Sequence, residues 1–150
     1  MAQNNRVIGV KDESGVNPVQ MTDYYMVTKD VNPDFLIFNG DDIMAMPALA
    51  QGSDGIVSGG SQIYGFMFRK VFDNFYEGNN TEAIYAYRDI VRLTEMLFIN
   101  NRANPVPVLR AAIEMVTGIK VGNARGPLNP LNDSERTATR ELLLELDVLK

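Results

Sequence analysis

The chain has 150 residues, 45% of them hydrophobic, and a formal net charge of −5, which suits one domain with a hydrophobic core. Cysteine and histidine are absent, so disulfides, thiolate metal sites, imidazole bases and Ser-His or Cys-His triads are excluded within this chain. The negative charge disfavours nucleic-acid and anionic-membrane partners, and no apolar run reaches the roughly 20 residues of a membrane span.

The first 78 residues predict three strands, each followed by a helix. The expected strands are the apolar segments 6–11, 35–39 and 55–58, and the expected helices cover residues 18–28, 41–51 and 62–76. Asn17 and Pro18 are typical of a helix start. Strands that alternate with helices over short connections favour a parallel sheet or barrel. Three strands cannot close a barrel, so the pattern predicts part of a larger α/β fold.

Residues 79–150 predict helices alone. They are expected at 80–100, 105–117 and 135–146, with a loop of two glycines and two prolines at 122–130. Asp133, Ser134 and Glu135 are expected to cap the last helix, and its charged residues to form a solvated face. The chain therefore divides into a strand-containing part, 1–78, and a helical part, 79–150.

Lys11 ends the first predicted strand, after the apolar segment Val7-Ile8-Gly9-Val10. Active sites of parallel α/β folds form at this end of the strands. Since histidine and cysteine are absent, a partly buried lysine amine there is the natural nucleophile for a carbonyl carbon. The alternative is that Lys11 only marks where the strand emerges into solvent.

Two further segments lie at the ends of the next strands. Asp41 and Asp42 follow Asn39-Gly40 and could bind substrate hydroxyls or a cation, although simple helix capping explains them equally. The glycine-rich segment 55–61 could bring its backbone close to a ligand, or could be only a tight strand-to-helix turn. A parallel sheet would bring both segments to the same edge as Lys11.

Several ordered motifs resemble the dihydrodipicolinate synthase/N-acetylneuraminate lyase family. Val7-Ile8-Gly9-Val10-Lys11-Asp12 with Ser14-Gly15 is similar to the family's sixth strand, Phe38-Asn39-Gly40-Asp41-Asp42 to its seventh, and Gly52 to Ser58 to its eighth. The segments 104–108 and 126–131 are similar to parts of the family's C-terminal helical extension. The resemblance runs along nearly the whole chain.

The resemblance implies the C-terminal half of a (β/α)8 TIM barrel, strands six to eight, plus a three-helix extension. Lys11 would form a Schiff base with pyruvate or a related 2-oxo acid, and the product would react with an aldehyde; no cofactor or metal is implied. Gly40 and Val57 would line the substrate site through their backbones. Asp41 and Asp42 would lie where the acceptor aldehyde or sugar hydroxyls bind.

The family's first five strands have no counterpart here. Its threonine-bearing carboxylate loop and its proton-shuttling tyrosine would lie in them, so the chain is expected to be inactive or very weak alone. A homo-oligomer or a partner supplying the missing half-barrel is expected, in the cytoplasm, since the polar N-terminal segment lacks the apolar stretch of a signal peptide.

The sequence does not decide among three functions. The chain is most similar to a dihydrodipicolinate synthase, while a 2-keto-3-deoxy sugar-acid aldolase or N-acetylneuraminate lyase-like enzyme is the enzymatic alternative. A non-catalytic half-barrel module that associates through its open sheet edges is the alternative of another class.

Overall fold

The computed structural model describes residues 1–13 and 17–150 of the chain. Within them, three strands alternate with helices, as the sequence predicts; Ser14 and Gly15, the end of the motif that begins at Val7, lie outside the described residues. The strands are β1 (Gly9–Asp12), β2 (Leu36–Asn39) and β3 (Gly55–Ile56). The helices that follow them are α1 (Gln20–Thr28), α2 (Ala45–Ala50) and α3 (Ser61–Tyr76).

The three strands form one parallel sheet in the order β1-β2-β3. Lys11 pairs with Phe38 and Asp12 with Asn39, while Asn39 also pairs with Ile56 on its other side. The central strand is the most enclosed, because Ile37 is fully buried and packs with helices α1 and α2. In the described part of the chain, β1 and β3 each have a neighbour on one side only, so the sheet has two open edges.

The first two helices start later than the sequence predicts. Helix α1 begins at Gln20 rather than Pro18, because Asn17 accepts a hydrogen bond from the Val19 amide at 3.1 Å and forms a separate turn. A short 3₁₀ helix, Asp42–Met44, precedes α2. Neither change alters the order of the elements.

The C-terminal part is helical, as predicted. Its elements are α4 (Asn80–Leu97), a 3₁₀ turn (Ile99–Asn101), α5 (Val106–Thr117) and α6 (Asp133–Glu145). Gly118 ends α5 in the left-handed region, with φ of 71°, where glycine is favoured. In the described part of the chain, no helix combines the length and apolar character that crossing a membrane needs.

The start of α6 corrects the predicted cap. Asn132, not Asp133, is the N-cap residue, and it forms a capping box with Glu135. Glu135 is 3% exposed, so this residue does not belong to a solvated face as expected. Its carboxylate instead pairs with Arg102, whose Nη2 lies 2.6 Å from Oε2. Arg102 also donates to the backbone carbonyls of Asn129 and Pro130, which fastens the loop before α6.

The main hydrophobic core lies among α2, α3, α4, α5 and α6. Its fully buried members include Tyr64, Ile90, Leu93, Val108 and Leu143. Helices α3 and α4 pack against each other, so this core crosses the predicted boundary between residues 78 and 79. The division into two parts stays a prediction. Because the core is shared between the two parts, helix α4 lies beside the ends of the strands.

Candidate active site

The carboxyl ends of the strands bring Lys11, Gly40 and Val57 to one edge of the sheet. The Gly40 amide donates to the Asp12 carbonyl at 2.6 Å, and the Val57 amide donates to the Asn39 carbonyl at 2.8 Å. Each of these two residues therefore extends the strand pairing by one position. Because both amides are committed to the sheet, Gly40 and Val57 can offer a substrate their carbonyl oxygens rather than their amide groups.

Lys11 lies against Gly40 and beside Glu13. Its ammonium contacts the Glu13 carboxylate, and 40% of the Lys11 side-chain surface is exposed. A Cβ atom added at Gly40 would lie 2.8 Å from Lys11 Nζ and still closer to Cε, so any larger residue would displace the lysine. Glycine at this position leaves the space in which the Lys11 side chain lies.

Asp41 caps the 3₁₀ helix that follows β2. Its carboxylate accepts from the Ile43 amide at 3.1 Å, which is the capping role that the sequence left open. Asn39 holds the same turn, since its side chain bonds both the amide and the carbonyl of Asp41. The Tyr87 hydroxyl donates to the Ile43 carbonyl at 2.5 Å, and burial and the charge of Asp41 raise the pKa of Tyr87.

Asp42 is buried, with 7% of its surface exposed. Its Oδ2 accepts from the Gly60 amide at 2.9 Å and from the Tyr64 hydroxyl at 3.0 Å. Oδ1 is buried and has no hydrogen-bond partner among the described residues. Burial, and then the charge of Asp42, raise the pKa of Tyr64 far above its ordinary range, so its hydroxyl stays protonated and donates.

Tyr64 joins this carboxylate to helix α4. Its hydroxyl lies 3.4 Å from the Thr94 hydroxyl, which itself donates to the Ile90 carbonyl at 2.8 Å. A Cβ at Gly60 would collide with the Tyr64 ring and with Asp42, so glycine is needed there too. Asp42, Gly60, Tyr64 and Thr94 therefore form one buried polar network, which ties the strand ends to the helical part.

The glycine-rich segment after β3 forms a hydrogen-bonded turn. The Ser58 hydroxyl accepts from the Ser61 amide at 3.0 Å, and the Ser61 hydroxyl donates to the Ser58 carbonyl at 2.8 Å. This is the strand-to-helix turn that was one of the two alternatives for this segment. Val57, just before it, is 52% exposed.

Two small cavities border the strand ends. One, of about 160 Å³, lies on the α1 side and the other, of about 100 Å³, lies on the α4 side. Glu13 and Asp41 line both, whereas Gly40 and Asp42 line only the smaller one. Among the residues that the structure describes, no three carboxylates are grouped closely enough to hold a metal ion. The chemistry available here is a primary amine, a contacting carboxylate and backbone carbonyls.

Sequence reasoning missed Glu13 and Tyr64. Glu13 stands two positions after Lys11. Because residues two apart in an extended chain face the same way, this spacing could have predicted that the two side chains lie close together. No sequence signal indicated Tyr64, because its hydrogen bond with Asp42 spans 22 residues and depends on how α3 packs.

The model of the dihydrodipicolinate synthetase family matches residues 1–146. The chain is 33% identical over 150 residues to the 4-hydroxy-tetrahydrodipicolinate synthase of Synechococcus sp. (strain JA-2-3B'a(2-13)), across 99% of this chain and 46% of that protein. The protein of that name from Heliobacterium modesticaldum is 34% identical over 143 residues, across 95% of this chain and 45% of that protein. The chain thus spans about half the length of the curated relatives it matches.

Solved structures give the same proportion. Dihydrodipicolinate synthase from Bacillus anthracis aligns with a TM-score of 0.83 and 31% identity, over 95% of this chain and 46% of that one. The Thermotoga maritima enzyme aligns with a TM-score of 0.84 and 26% identity, over 99% of this chain and 49% of that one. The mixed α/β fold with its parallel strands therefore corresponds to about half of these enzymes. Because the family model covers nearly the whole chain, the chain belongs to the dihydrodipicolinate synthetase family.

Proposed function

We propose that Lys11 is the Schiff-base nucleophile of a lyase or synthase acting on pyruvate or a related 2-oxo acid, most like 4-hydroxy-tetrahydrodipicolinate synthase. The supporting observation is the packing of the Lys11 amine at the end of β1 over Gly40, where a side chain is sterically excluded. Membership of the family supports the proposal, because the motif around Lys11 resembles the sixth strand of the family's barrel. In the proposed assembly, β1, β2 and β3 are strands six to eight of a (β/α)8 barrel and α4, α5 and α6 are its helical extension.

The amine of Lys11 would attack the keto carbon of the 2-oxo acid and form an imine with loss of water. The protonated imine withdraws electrons from the neighbouring carbon, so a proton can leave it and an enamine forms. The enamine then adds to an aldehyde. Asp41 and Asp42 are proposed to lie where the hydroxyl groups of that aldehyde bind.

The remaining barrel half is proposed to complete the site. The amides of Gly40 and Val57 bond to the sheet and do not serve the 2-oxo acid's carboxylate, and we propose that the remaining half supplies donors for it. The open edge of β1 and the apolar cavity beside it, of about 280 Å³, offer a place for that half to pack. It can be supplied by a longer chain or by a partner, and without it we expect little or no turnover.

Borohydride reduction tests the nucleophile. The chain, assembled with the remaining half, is incubated with pyruvate and borohydride, and its mass is measured. We expect one reduced pyruvate adduct on the wild-type chain and none on Lys11→Ala, while Lys120→Ala, in the loop after α5, behaves like the wild type. Equal labelling of the Lys11→Ala chain would rule the assignment out.

The acceptor distinguishes the enzymatic alternatives. A synthase would consume pyruvate faster with aspartate semialdehyde, whereas a 2-keto-3-deoxy sugar-acid aldolase or N-acetylneuraminate lyase-like enzyme would prefer sugar-derived aldehydes. Measuring pyruvate consumption with both acceptors, at matched concentrations, decides between these readings.

Exposed apolar residues near β1 favour a second candidate, a non-catalytic association module. Ile8, just before β1, is 74% exposed, and Val27, which lines the cavity beside β1, is 67% exposed. Such a surface is typical of contact with another chain. Light scattering tests it, because an association module would form a defined oligomer through this surface, whereas a compact monomer would argue against this candidate.

A further inference from the structure

Glu13 is the residue whose carboxylate contacts the Lys11 ammonium. It stands one residue past the end of β1, on the same side of the extended chain as Lys11. A Cβ atom at Gly40 would lie 2.8 Å from the Glu13 Cβ, so both side chains use the space that this glycine leaves open. Glu13 also lines both cavities at the strand ends.

We infer that Glu13 is a catalytic acid–base residue for imine formation at Lys11. The inference rests on the proposed function, since it gives Glu13 a role only if Lys11 reacts with a 2-oxo acid. It goes beyond that proposal because it assigns the proton transfers at the amine to a carboxylate within this chain.

The proton transfers balance through one carboxylate. Glu13 takes a proton from the Lys11 ammonium, which leaves a neutral amine and a carboxylic acid. The amine attacks the keto carbon, and after a proton passes from nitrogen to oxygen the product is a neutral carbinolamine. Glu13 returns its proton to the carbinolamine hydroxyl, water leaves, and the nitrogen lone pair forms the protonated imine. The carboxylate is regenerated and the net product besides the imine is one water.

The neighbouring carboxylates have other contacts. Asp41 accepts from the Ile43 amide and caps the 3₁₀ helix, while Asp42 is buried against Gly60 and Tyr64. Asp12 lines only the larger cavity, whereas Glu13 lines both cavities and contacts the Lys11 ammonium. Glu13, with 59% of its side-chain surface exposed, is open to solvent and to an incoming substrate.

A purely structural salt bridge is the competing explanation. An ion pair this exposed contributes little to stability, so removing the carboxylate should leave the fold intact. Glu13→Gln keeps the size of the side chain and an oxygen that can accept from the lysine. A difference in reaction rate would therefore report on proton transfer.

The experiment measures the rate of borohydride-trapped pyruvate adduct at Lys11, in the chain assembled with the remaining half. Wild type, Glu13→Gln and Glu13→Asp are compared, with Glu141→Gln as the control for loss of an exposed carboxylate on α6. We expect Glu13→Gln to form the adduct about 100-fold more slowly, with recovery when formate or acetate is added. Glu13→Asp should be intermediate, and Glu141→Gln should match the wild type.

The possible outcomes distinguish the role of Glu13 from the role of Lys11. Adduct formation by Glu13→Gln at the wild-type rate overturns the role of Glu13 and leaves Lys11 as the nucleophile. A slower Glu13→Gln that small carboxylates do not restore also overturns it, since a missing proton carrier can be replaced and a distorted site cannot. A wild-type protein that forms no adduct overturns the imine assignment and, with it, this inference.

Discussion

At the scale of single residues, the space over Gly40 decides where Lys11 lies. The lysine and Glu13 both pack where a Cβ would otherwise stand. Such contacts matter for reactivity more than for stability, because displacing a reacting group by about 1 Å can lower a rate roughly 100-fold. The close approach of Lys11 and Gly40 follows from two parallel strands in register.

Replacing Gly40 with alanine should therefore impair imine formation. The added methyl displaces the lysine side chain, so we expect adduct formation to slow by about 10-fold to 100-fold. Gly65→Ala, on α3, is the matched control, because a Cβ there makes only an ordinary contact with the Ser61 Cβ at 3.8 Å and should leave the rate unchanged. The rate of borohydride trapping measures both, and equal rates for Gly40→Ala and wild type would contradict the packing argument.

The Asp42–Tyr64 contact should stabilise the fold. Tyr64→Phe keeps the ring that fills the space at Gly60 but removes the donor to Asp42, so we expect a loss of about 1–3 kcal/mol in the free energy of unfolding. Tyr76→Phe, at a residue that is 67% exposed, should change stability by less than about 0.5 kcal/mol. Urea unfolding compares the two, and similar midpoints would mean that the hydroxyl contributes little.

Sequence patterns locate residues that act through neighbours in the chain better than residues that act through packing. Lys11, Gly40 and Asp41 stand at strand ends, so their common edge could be predicted. The burial of Asp42 could not be predicted, because capping and substrate binding explain an aspartate at that position equally well. Its partners are Gly60, just before α3, and Tyr64, within α3, which lie 18 and 22 residues away.

At the scale of elements, helix α6 is held by a buried ion pair. Hydrogen bonds from Arg102, then from the Asn132 backbone and Asn100, lower the pKa of Glu135 from its ordinary value of 4.5 to about 2. Burial of the carboxylate opposes this shift. The pair connects the segment after α4 to the start of α6, which explains why an acidic residue of this helix is buried.

Stability should fall in acid because of this pair. The pKa of Glu135 is lower in the folded state than in the unfolded state, so its stabilisation is complete above about pH 5 and is lost towards about pH 2. We expect the wild type to lose about 2–3 kcal/mol across this window through Glu135. Glu135→Gln should show a correspondingly flatter decline in urea unfolding at pH 5, 4 and 3. Parallel declines would show that Glu135 does not control acid stability.

The order and type of the main elements follow from periodicity, whereas their ends depend on local hydrogen bonds. Apolar β-branched runs and the helical patterns predicted the three strands and the main helices between and after them. Asn17 forms its own turn and delays α1, and Asn132 rather than Asp133 caps α6. Several polar residues in each segment could fill the cap, so the sequence does not choose among them.

At the scale of the whole molecule, the open edges of the sheet are the main unsatisfied feature. β1 and β3 each pair on one side only within the described residues, and an apolar cavity lies beside β1. Exposed strand edges and apolar surfaces favour association. The relatives are about twice as long as this chain, which fits the proposal that another half packs here.

Val27→Lys should weaken that packing. Val27 is 67% exposed and lines the cavity beside β1, so a charge there should oppose burial against the remaining half while leaving this chain folded. We expect the dissociation constant to rise at least about 10-fold. Ile119→Lys, at a 64% exposed residue after α5, is the control. Calorimetric titration with the remaining half measures both, and equal affinities would place the contact elsewhere.

Lys11 is proposed to carry the reacting amine. This can be measured by incubating the protein with pyruvate, reducing the imine with borohydride and mapping the peptides. The map assigns the adduct to a single side chain. We predict that the modified peptide contains Lys11 and that the peptides with Lys29, Lys70 and Lys120 stay unmodified. An adduct on one of those lysines, or no adduct in a fully assembled protein, would contradict the assignment of the reacting amine to Lys11.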